Sequence, residues 1–236
     1  MKGKVYLIPT PLGPFETIEK VQPNYNNSII HTIDVFIVEQ TRTARRYLSS
    51  IKHPIPIDDI QFLELNKHTD QNEVHSYLDS VMQGRNIGVL SEAGTPCIAD
   101  PGSVVVKLAH LKDIRVIPLV GPNSILLALM ASGLNGQNFL FHGYLPIERN
   151  ILAKCLKEIE SNSQKNGQTQ IFIETPYRNS QMLKSIISVC SMDTNLCIAT
   201  DLTLSNESIK TKTVGEWKKR PPDIHKRPTV FLLSRD

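Results

Sequence analysis

Four short segments rich in Gly, Pro, Ser and Thr interrupt the first half of the chain: PTPLGP from Pro9, EQTR from Glu39, SEAGTPCIADPG from Ser91 and LVGPNS from Leu119. Each follows an apolar run of strand length, and in open α/β sheets ligands bind in the loops beyond the carboxyl ends of the strands. The second and third segments put Glu39 and Glu92 at or beside strand ends. Taken singly, glycine and proline only turn a chain. Four such loops converging on one sheet edge point to a site. A phosphate cradle needs consecutive free N–H groups at a helix N-terminus, whereas these loops are interrupted by proline and contain neither G-x-G-x-x-G nor G-x-x-x-x-G-K-[ST]. That disfavours a nucleoside triphosphate or an ordinary dinucleotide. Proline-stiffened walls with a few carbonyls and a carboxylate suit a nucleoside without phosphates, whose ribose hydroxyls need acceptors and whose adenine needs a flat apolar slot. There is no G-x-S-x-G elbow, and no histidine pair has zincin spacing. His68 and His75 come nearest to a pair among seven scattered histidines, for which solvated or capping roles are the default, and no metal site is expected.

The elements that must carry these loops alternate short apolar runs with helical patterns, the signature of a parallel sheet with crossover helices. Strands are expected over 5–8, 34–38, 61–65, 86–90 and 115–119. A helix over 41–51 carries Arg42, Arg45 and Arg46. Val74, Tyr77, Leu78, Val81 and Met82 form one helical stripe, with Asp70 as N-cap and Glu73 three residues on. Asp100-Pro101 fits an N-cap followed by proline at the first helical position, ahead of a helix over 103–111. A very apolar helix over 125–131 stops at Ser132 and Gly133, and a lobe boundary falls ahead of it, dividing the chain into 1–118 and 119–236. The second half mixes the segment FLFHGYLP, a helix with Ile151, Leu152, Cys155, Leu156 and Ile159 on one face, and a strand over 171–173. A helix with Met182, Leu183, Ile186 and Ile187 follows, then strands near 196–200, 209–214 and 229–233. SNSQKNGQ reads as a surface loop.

The 236 residues suffice for two lobes, and 40% hydrophobic with 21% charged residues is an ordinary globular balance, which excludes a disordered tail, a collagen-like repeat and a disulfide miniprotein. A net charge of +3 does not announce nucleic acid. Local clusters carry that argument: Arg42, Arg45, Arg46 and Lys52 on one helix, and Lys218, Lys219, Arg220, Lys226 and Arg227 near the C-terminus. Each reads equally as a solvated face or as a nucleic-acid contact. Tyr177 and Arg178 suit stacking on a base, with core packing an equal account of the tyrosine. Cys97, Cys155, Cys190 and Cys197 contain no C-x-x-C and read as buried free thiols, in keeping with a reducing cytoplasm. No apolar stretch approaches bilayer length, so a soluble, cytoplasmic protein with no membrane partner is expected.

The segments VYLIPTPLG, VFIVEQTRTARRYL, NIGVLSEAGTPCIADPG, VIPLVGPNSILLALMASGL, FLFHGYLP, IFIETPYR and RPTVFLL occur in an order and spacing that resemble the tetrapyrrole methylase superfamily of S-adenosylmethionine-dependent methyltransferases. Within it, they resemble the branch of ribosomal RNA small-subunit methyltransferase I, which 2′-O-methylates a cytidine of 16S RNA. The resemblance spans nearly the whole chain. It implies a two-lobed α/β fold, with a mostly parallel N-terminal sheet with crossover helices, a mixed C-terminal lobe and the cofactor S-adenosylmethionine in the cleft between them. It also implies a homodimer and, as partner, ribosomal RNA or the small ribosomal subunit. The implied cofactor contacts are Pro9, Thr10, Ser91, Glu92, Ala93, Gly94, Thr95, Ile98 and Ser124, with Asp100 beyond the third loop. The second lobe adds Leu134, Asp201, Leu202, Pro228 and Thr229.

Three features depart from the branch. It usually reads E-D-T-R where this chain has Glu39-Gln40-Thr41-Arg42. It usually carries an arginine and a glutamate before L-T, where this chain has Thr200-Asp201-Leu202-Thr203, and it generally continues beyond the final strand, whereas this chain stops at Asp236. Methyl transfer from a sulfonium is an in-line displacement that loses positive charge, so alignment and desolvation of the reactants are the main tasks. A hydroxyl acceptor also has a proton to lose. Glu39 with Arg42 is the catalytic pair for that step, and Asp100 is the reserve base. The same two residues read equally as a structural ion pair fixing the loop. Three functions follow: an RNA 2′-O-methyltransferase with strongly salt-dependent RNA binding, a methyltransferase for a small molecule such as a tetrapyrrole, and a non-catalytic module that binds the cofactor or RNA.

Overall fold

The computed structural model describes residues 2–66 and 69–235; His68 lies outside them. The chain divides into two compact units, Met1–Asn123 and Ser124–Asp236.

In the first unit, β1 (Lys4–Ile8), β2 (Val35–Val38), β3 (Gln61–Glu64), β4 (Ile87–Leu90) and β5 (Arg115–Pro118) form a sheet in the order β3-β2-β4-β1-β5. Every pairing is parallel, with Val5 opposite both Ile87 and Val116. The connections hold α1 (Ile18–Val21), α2 (Asn24–Ile30), α3 (Thr41–Ser50), α4 (Gln71–Ser76), α5 (Asp79–Met82) and α6 (Ser103–Leu111). Because strand side chains alternate faces, Val5, Ile37 and Val89 pack with Leu78 and Val105, while Tyr6, Phe36 and Leu90 pack with Ile30 and Leu48. A sheet covered on both faces explains why its central strands β2 and β4 read as unbroken apolar runs.

The stripe over 74–82 is two helices rather than one. The Tyr77 hydroxyl donates to Glu64 O at 2.6 Å, and Tyr77 N bonds the carbonyl of Val74, so the chain tightens between α4 and α5. Asp100 is not the N-cap of α6. That helix starts at Ser103 after Gly102, and the Asp100 carboxylate instead closes the turn before it. Lys52 lies past the end of α3, in the left-handed region at φ 53°.

The second unit holds α7 (Ser124–Ser132), β6 (Phe139–Tyr144), α8 (Arg149–Asn166), β7 (Thr169–Ile173), α9 (Asn179–Val189), β8 (Asn195–Thr200), β9 (Ser208–Thr213), α10 (Val214–Lys219) and β10 (Thr229–Ser234). Its sheet runs β6-β7-β10-β8-β9, with β6 and β7 parallel and the other pairs antiparallel. Leu156 of α8, Ile186 of α9 and Trp217 of α10 close one core with Phe172 and Phe231, whose stacked rings lie 5.6 Å apart. The stretch expected as a surface loop, SNSQKNGQ, is the last part of α8 up to Asn166. Ser163 is buried, donates to Gln168 O at 2.8 Å and accepts from Arg235 N, so long-range bonds favour helix where the polar composition suggests a loop. Cys190 and Cys197 are buried free thiols as expected, but Cys97 and Cys155 are only partly buried. Among the described residues no group of side chains could hold a metal ion, and no helix is long and apolar enough to cross a membrane.

Candidate functional site at the sheet edges

At the carboxyl edge of the parallel sheet the first, third and fourth loops are one hydrogen-bonded assembly. Thr10 leaves β1 buried and pairs with Gly94 through both backbone groups, at 2.9 and 3.0 Å. Its hydroxyl donates to Ser91 O at 3.2 Å, and the Ser91 hydroxyl donates to Gly94 O. Gly94 stands at φ 77°, where a Cβ is strained. At Gly121 a Cβ would lie 2.2 Å from the Pro9 ring, so glycine is what lets the fourth loop reach the first. Amides lock the rest: Asn123 Nδ2 donates to Thr95 Oγ1 at 2.6 Å and Asn26 Nδ2 to Val120 O at 2.7 Å. Gln22 donates to Pro9 O while accepting from the Tyr47 hydroxyl, whose pKa burial pushes up to about 12.

The third loop holds two non-glycine residues in the left-handed region, Cys97 at φ 67° and Ala99 at φ 62°. Each such residue costs about 1–2 kcal/mol. Asp100 Oδ1 offsets this by accepting from Cys97 N and Gly102 N, both at 2.8 Å. The loop therefore keeps a shape that leaves Ala93 and Ile98 exposed.

Glu39, Glu92 and Asp100 gather at the ends of β2 and β4. Burial raises the Glu39 carboxyl above its ordinary value, and the charges of Asp100 and Glu92 raise it further. Burial also raises Glu92 against hydrogen bonds from Thr43 and Gln40, and Asp100 against those from Gly102 and Cys97. Such an arrangement favours a proton acceptor that works nearer neutral pH than a solvated carboxylate does. Arg42 is not joined to Glu39. It is exposed in the first turn of α3, and among the described residues it has no ion-pair partner, so the structural ion pair is absent. Arg45 pairs instead with Asp58, and Arg46 lies 5.8 Å above the Phe15 ring.

Gln40 occupies the N-cap of α3 without a side-chain bond. Two carboxylates from neighbouring strands serve that helix end. Glu64 Oε1 accepts from Thr41 N at 3.1 Å and Thr41 Oγ1 at 2.7 Å, which holds its carboxyl below the ordinary value, and Glu92 Oε1 accepts from Gln40 N at 3.2 Å.

In the second unit, Asp201, Leu202, Pro228 and Thr229 meet where β8 ends and β10 begins, with Asp201 N donating to Pro228 O at 2.9 Å. Asp201 is buried at φ 50° and accepts from Arg227 Nε at 2.6 Å and from Asn206. Arg227 also donates to Asn206 O and Asp223 O, so this member of the C-terminal basic cluster is built into the loop. Ser124 opens α7. Leu134 is not brought to Asp201. The flanking Ser132 O accepts from Thr211 and Asn135 O from Thr169, towards the amino end of β7. Lys218, Lys219 and Arg220 are exposed and lack ion pairs among the described residues. Tyr177 is 71% exposed, which rules out its core-packing account, while Arg178 pairs with buried Glu174 at 3.0 Å.

No family model matches the chain. It is 31% identical over 217 residues to the ribosomal RNA small subunit methyltransferase I of Streptococcus pyogenes, covering 91% of this chain and 70% of that protein. The chain belongs to that family. The protein of the same name from Escherichia coli O157:H7 is 29% identical over 99% of this chain and 78% of its own length. As a member of the ribosomal RNA small subunit methyltransferase I family, the chain is a methyltransferase that uses S-adenosylmethionine. Among solved structures, the methyltransferase CobJ matches with a TM-score of 0.64 at 15% identity, covering 99% of this chain and 94% of that one. The cobalt precorrin-4 methyltransferase CbiF matches at 0.60 and 16%, covering 98% and 94%. At that identity the likeness establishes the α/β fold, a parallel sheet followed by a mixed one, and nothing finer.

Against the usual E-D-T-R, Gln40 removes a carboxylate at a helix N-cap, and Glu64 supplies one from β3. Sequence reading missed Glu64, Gln22, Asn26 and Asn123, each of which acts across the fold. Only Asn123, inside the LVGPNS segment, lay where a signal existed.

Proposed function

We propose that this enzyme transfers a methyl group to a ribose hydroxyl of ribosomal RNA. The observation that carries the reading is similarity along nearly the whole chain to proteins named for that RNA. S-adenosylmethionine supplies the methyl as an electrophile on a sulfonium. The donor set of the first unit fits such a molecule. Proline-walled loops with an exposed Ala93 and no phosphate cradle suit an unphosphorylated nucleoside, and the carboxylates of Glu39, Glu92 and Asp100 suit a cation. Pro9, Thr10, Ser91, Glu92, Ala93, Gly94, Thr95 and Ile98 hold it in that unit. In this reading the second unit's cofactor contacts are Ser124, Asp201, Leu202, Pro228 and Thr229, and in that unit the Thr203 hydroxyl is buried without a partner among the described residues. Leu134 enters the set by the resemblance alone.

Glu39 takes the proton of the attacking hydroxyl, and its raised basicity supports that role. Asp100, tied by two backbone N–H groups, tunes Glu39 and stands as reserve base. Arg42, which has no ion-pair partner among the described residues, meets a phosphate of the RNA. The enzyme works in the cytoplasm, where its substrate is. A homodimer is supported by exposed Leu126 and Met130 on α7 and exposed Phe139, Leu140 and Tyr144 on the edge strand β6; light scattering at twice the chain mass checks it. The deciding experiment transfers labelled methyl from S-adenosylmethionine to total RNA, and separately to small-molecule extract, both from cells lacking this gene. Label in small-subunit RNA is the expected result. Label confined to the small-molecule fraction overturns the RNA assignment, and label in neither overturns it as well.

A further inference from the structure

We propose that Tyr177 and Lys226 form a stacking site for an unpaired base of the RNA, in the same unit as Asp201 and Thr229 and adjoining them through Arg227. The inference rests on the RNA reading above and names residues that bind the substrate apart from the reacting atoms. Tyr177 is 71% exposed, and among the described residues its phenol makes no hydrogen bond. An exposed tyrosine alone means little. Here the backbone beneath it is locked from two sides. Thr175 to Arg178 form a turn closed by Arg178 N to Thr175 O at 2.9 Å, with Pro176 at the second position, where its fixed φ suits the turn. Arg178 is anchored to Glu174, whose side chain is only 3% exposed, and Thr175 N donates to the same carboxylate at 2.7 Å.

From the other side, Lys226 stands in the left-handed region at φ 59°, donates its N–H to Pro176 O at 3.0 Å and places its ammonium 5.8 Å from the Tyr177 ring centroid. The next residue, Arg227, is fastened to Asp201, and its carbonyl accepts from Asn179 Nδ2 at 2.6 Å. A strained backbone thus carries a cation to an exposed ring whose backbone is already fixed, so little backbone freedom is lost on binding. Flat apolar faces with an adjacent cation are what single-stranded RNA uses: the base stacks and the phosphate is neutralised. Duplex RNA keeps its bases stacked inside and offers the ring nothing.

The test uses the full chain and two readouts. Fluorescence anisotropy with a labelled single-stranded RNA 20-mer is expected to show Tyr177→Leu binding roughly 10-fold more weakly, while Tyr177→Phe, which keeps the ring, stays near wild type. Lys226→Ala is expected to lower the slope of log affinity against log salt by about one unit. Affinity for S-adenosylmethionine and the urea midpoint, which a merely structural role would move, are expected to hold in Tyr177→Leu. With RNA from cells lacking this gene, the KM of Tyr177→Leu should rise by a similar factor. Unchanged oligonucleotide affinity in Tyr177→Leu overturns the stacking site whether or not RNA is methylated. Absence of RNA methylation by the wild type, with the oligonucleotide difference intact, overturns the parent reading alone.

Discussion

Removing the Arg227 guanidinium leaves a buried carboxylate without its counter-charge, and the loss can be sized from the structure. The Asp201 side chain is 5% exposed, Arg227 Nε stands 2.6 Å from Oδ2, and the Asn206 amide is the other partner of that oxygen. Arg227 also satisfies Asn206 O at 2.8 Å and Asp223 O at 3.2 Å. Breaking a buried pair from one side costs about 3–5 kcal/mol. Arg227 itself is 30% exposed, so water reaches the vacated space and the lower end applies, about 3 kcal/mol for Arg227→Ala. At a urea slope of about 1–3 kcal/mol per molar, the midpoint falls by roughly 1–3 M. Trp217 is the chain's single tryptophan and is buried in the core of the second unit, so its fluorescence reports this unfolding directly. The double variant Arg227→Met with Asp201→Asn should recover much of the loss, because the unpaired charge is gone. A loss below about 1 kcal/mol in Arg227→Ala, or a double variant no better than the single, would refute the claim that this pair is part of the loop's architecture.

Glu39, Glu92 and Asp100 all hold protons more tightly in the folded chain than in the unfolded one. The folded state therefore binds the extra protons just above the ordinary carboxylate range, and the stability of the first unit falls as pH rises through that window. Urea midpoints by far-UV circular dichroism between about pH 4 and 7 should show the decline, and Glu39→Gln should flatten it; an identical slope in the variant contradicts the reasoning. Gly94→Ala places a Cβ at φ 77°, 3.0 Å from Leu12 Cδ2 and 3.3 Å from Pro122 O. It should cost about 1–3 kcal/mol and weaken S-adenosylmethionine binding measured by calorimetry, and wild-type affinity would show that the loop tolerates the change. Gln40→Asp gives α3 an N-cap acceptor and should stabilise the first unit by about 1 kcal/mol in the wild type and by more in Glu64→Ala, where the carboxylate from β3 is gone. An equal gain in both backgrounds would mean that Glu64 does not serve that helix end.

Much of the fold was legible because its signals are local. The runs at 5–8, 87–90 and 116–119 are apolar because a parallel sheet is covered on both faces, and the loops after them announce themselves by glycine and proline. The paired signals at Asp100-Pro101 and over 74–82 were also local, yet each was overruled. A carboxylate that closes the preceding turn, and a tyrosine hydroxyl drawn to Glu64, outweigh capping statistics and periodicity. SNSQKNGQ looked like a loop by composition and is helix, because Ser163 finds partners in Gln168 and Arg235.

The amino-acid sequence by itself determined the class of the fold, the four loops and the family, since these rest on periodicity and on motifs read along the chain. Tertiary structure decided which charges are available for chemistry. Glu39 acquires its basicity from burial and then from Asp100 and Glu92, Arg42 has no ion-pair partner among the described residues while Arg45 is bound, and Arg227 is taken by Asp201. The physical reason is range. A hydrogen bond such as Asn26 to Val120, or an ion pair such as Asp201 with Arg227, joins residues whose separation along the chain carries no pattern, and only packing brings them within about 3 Å.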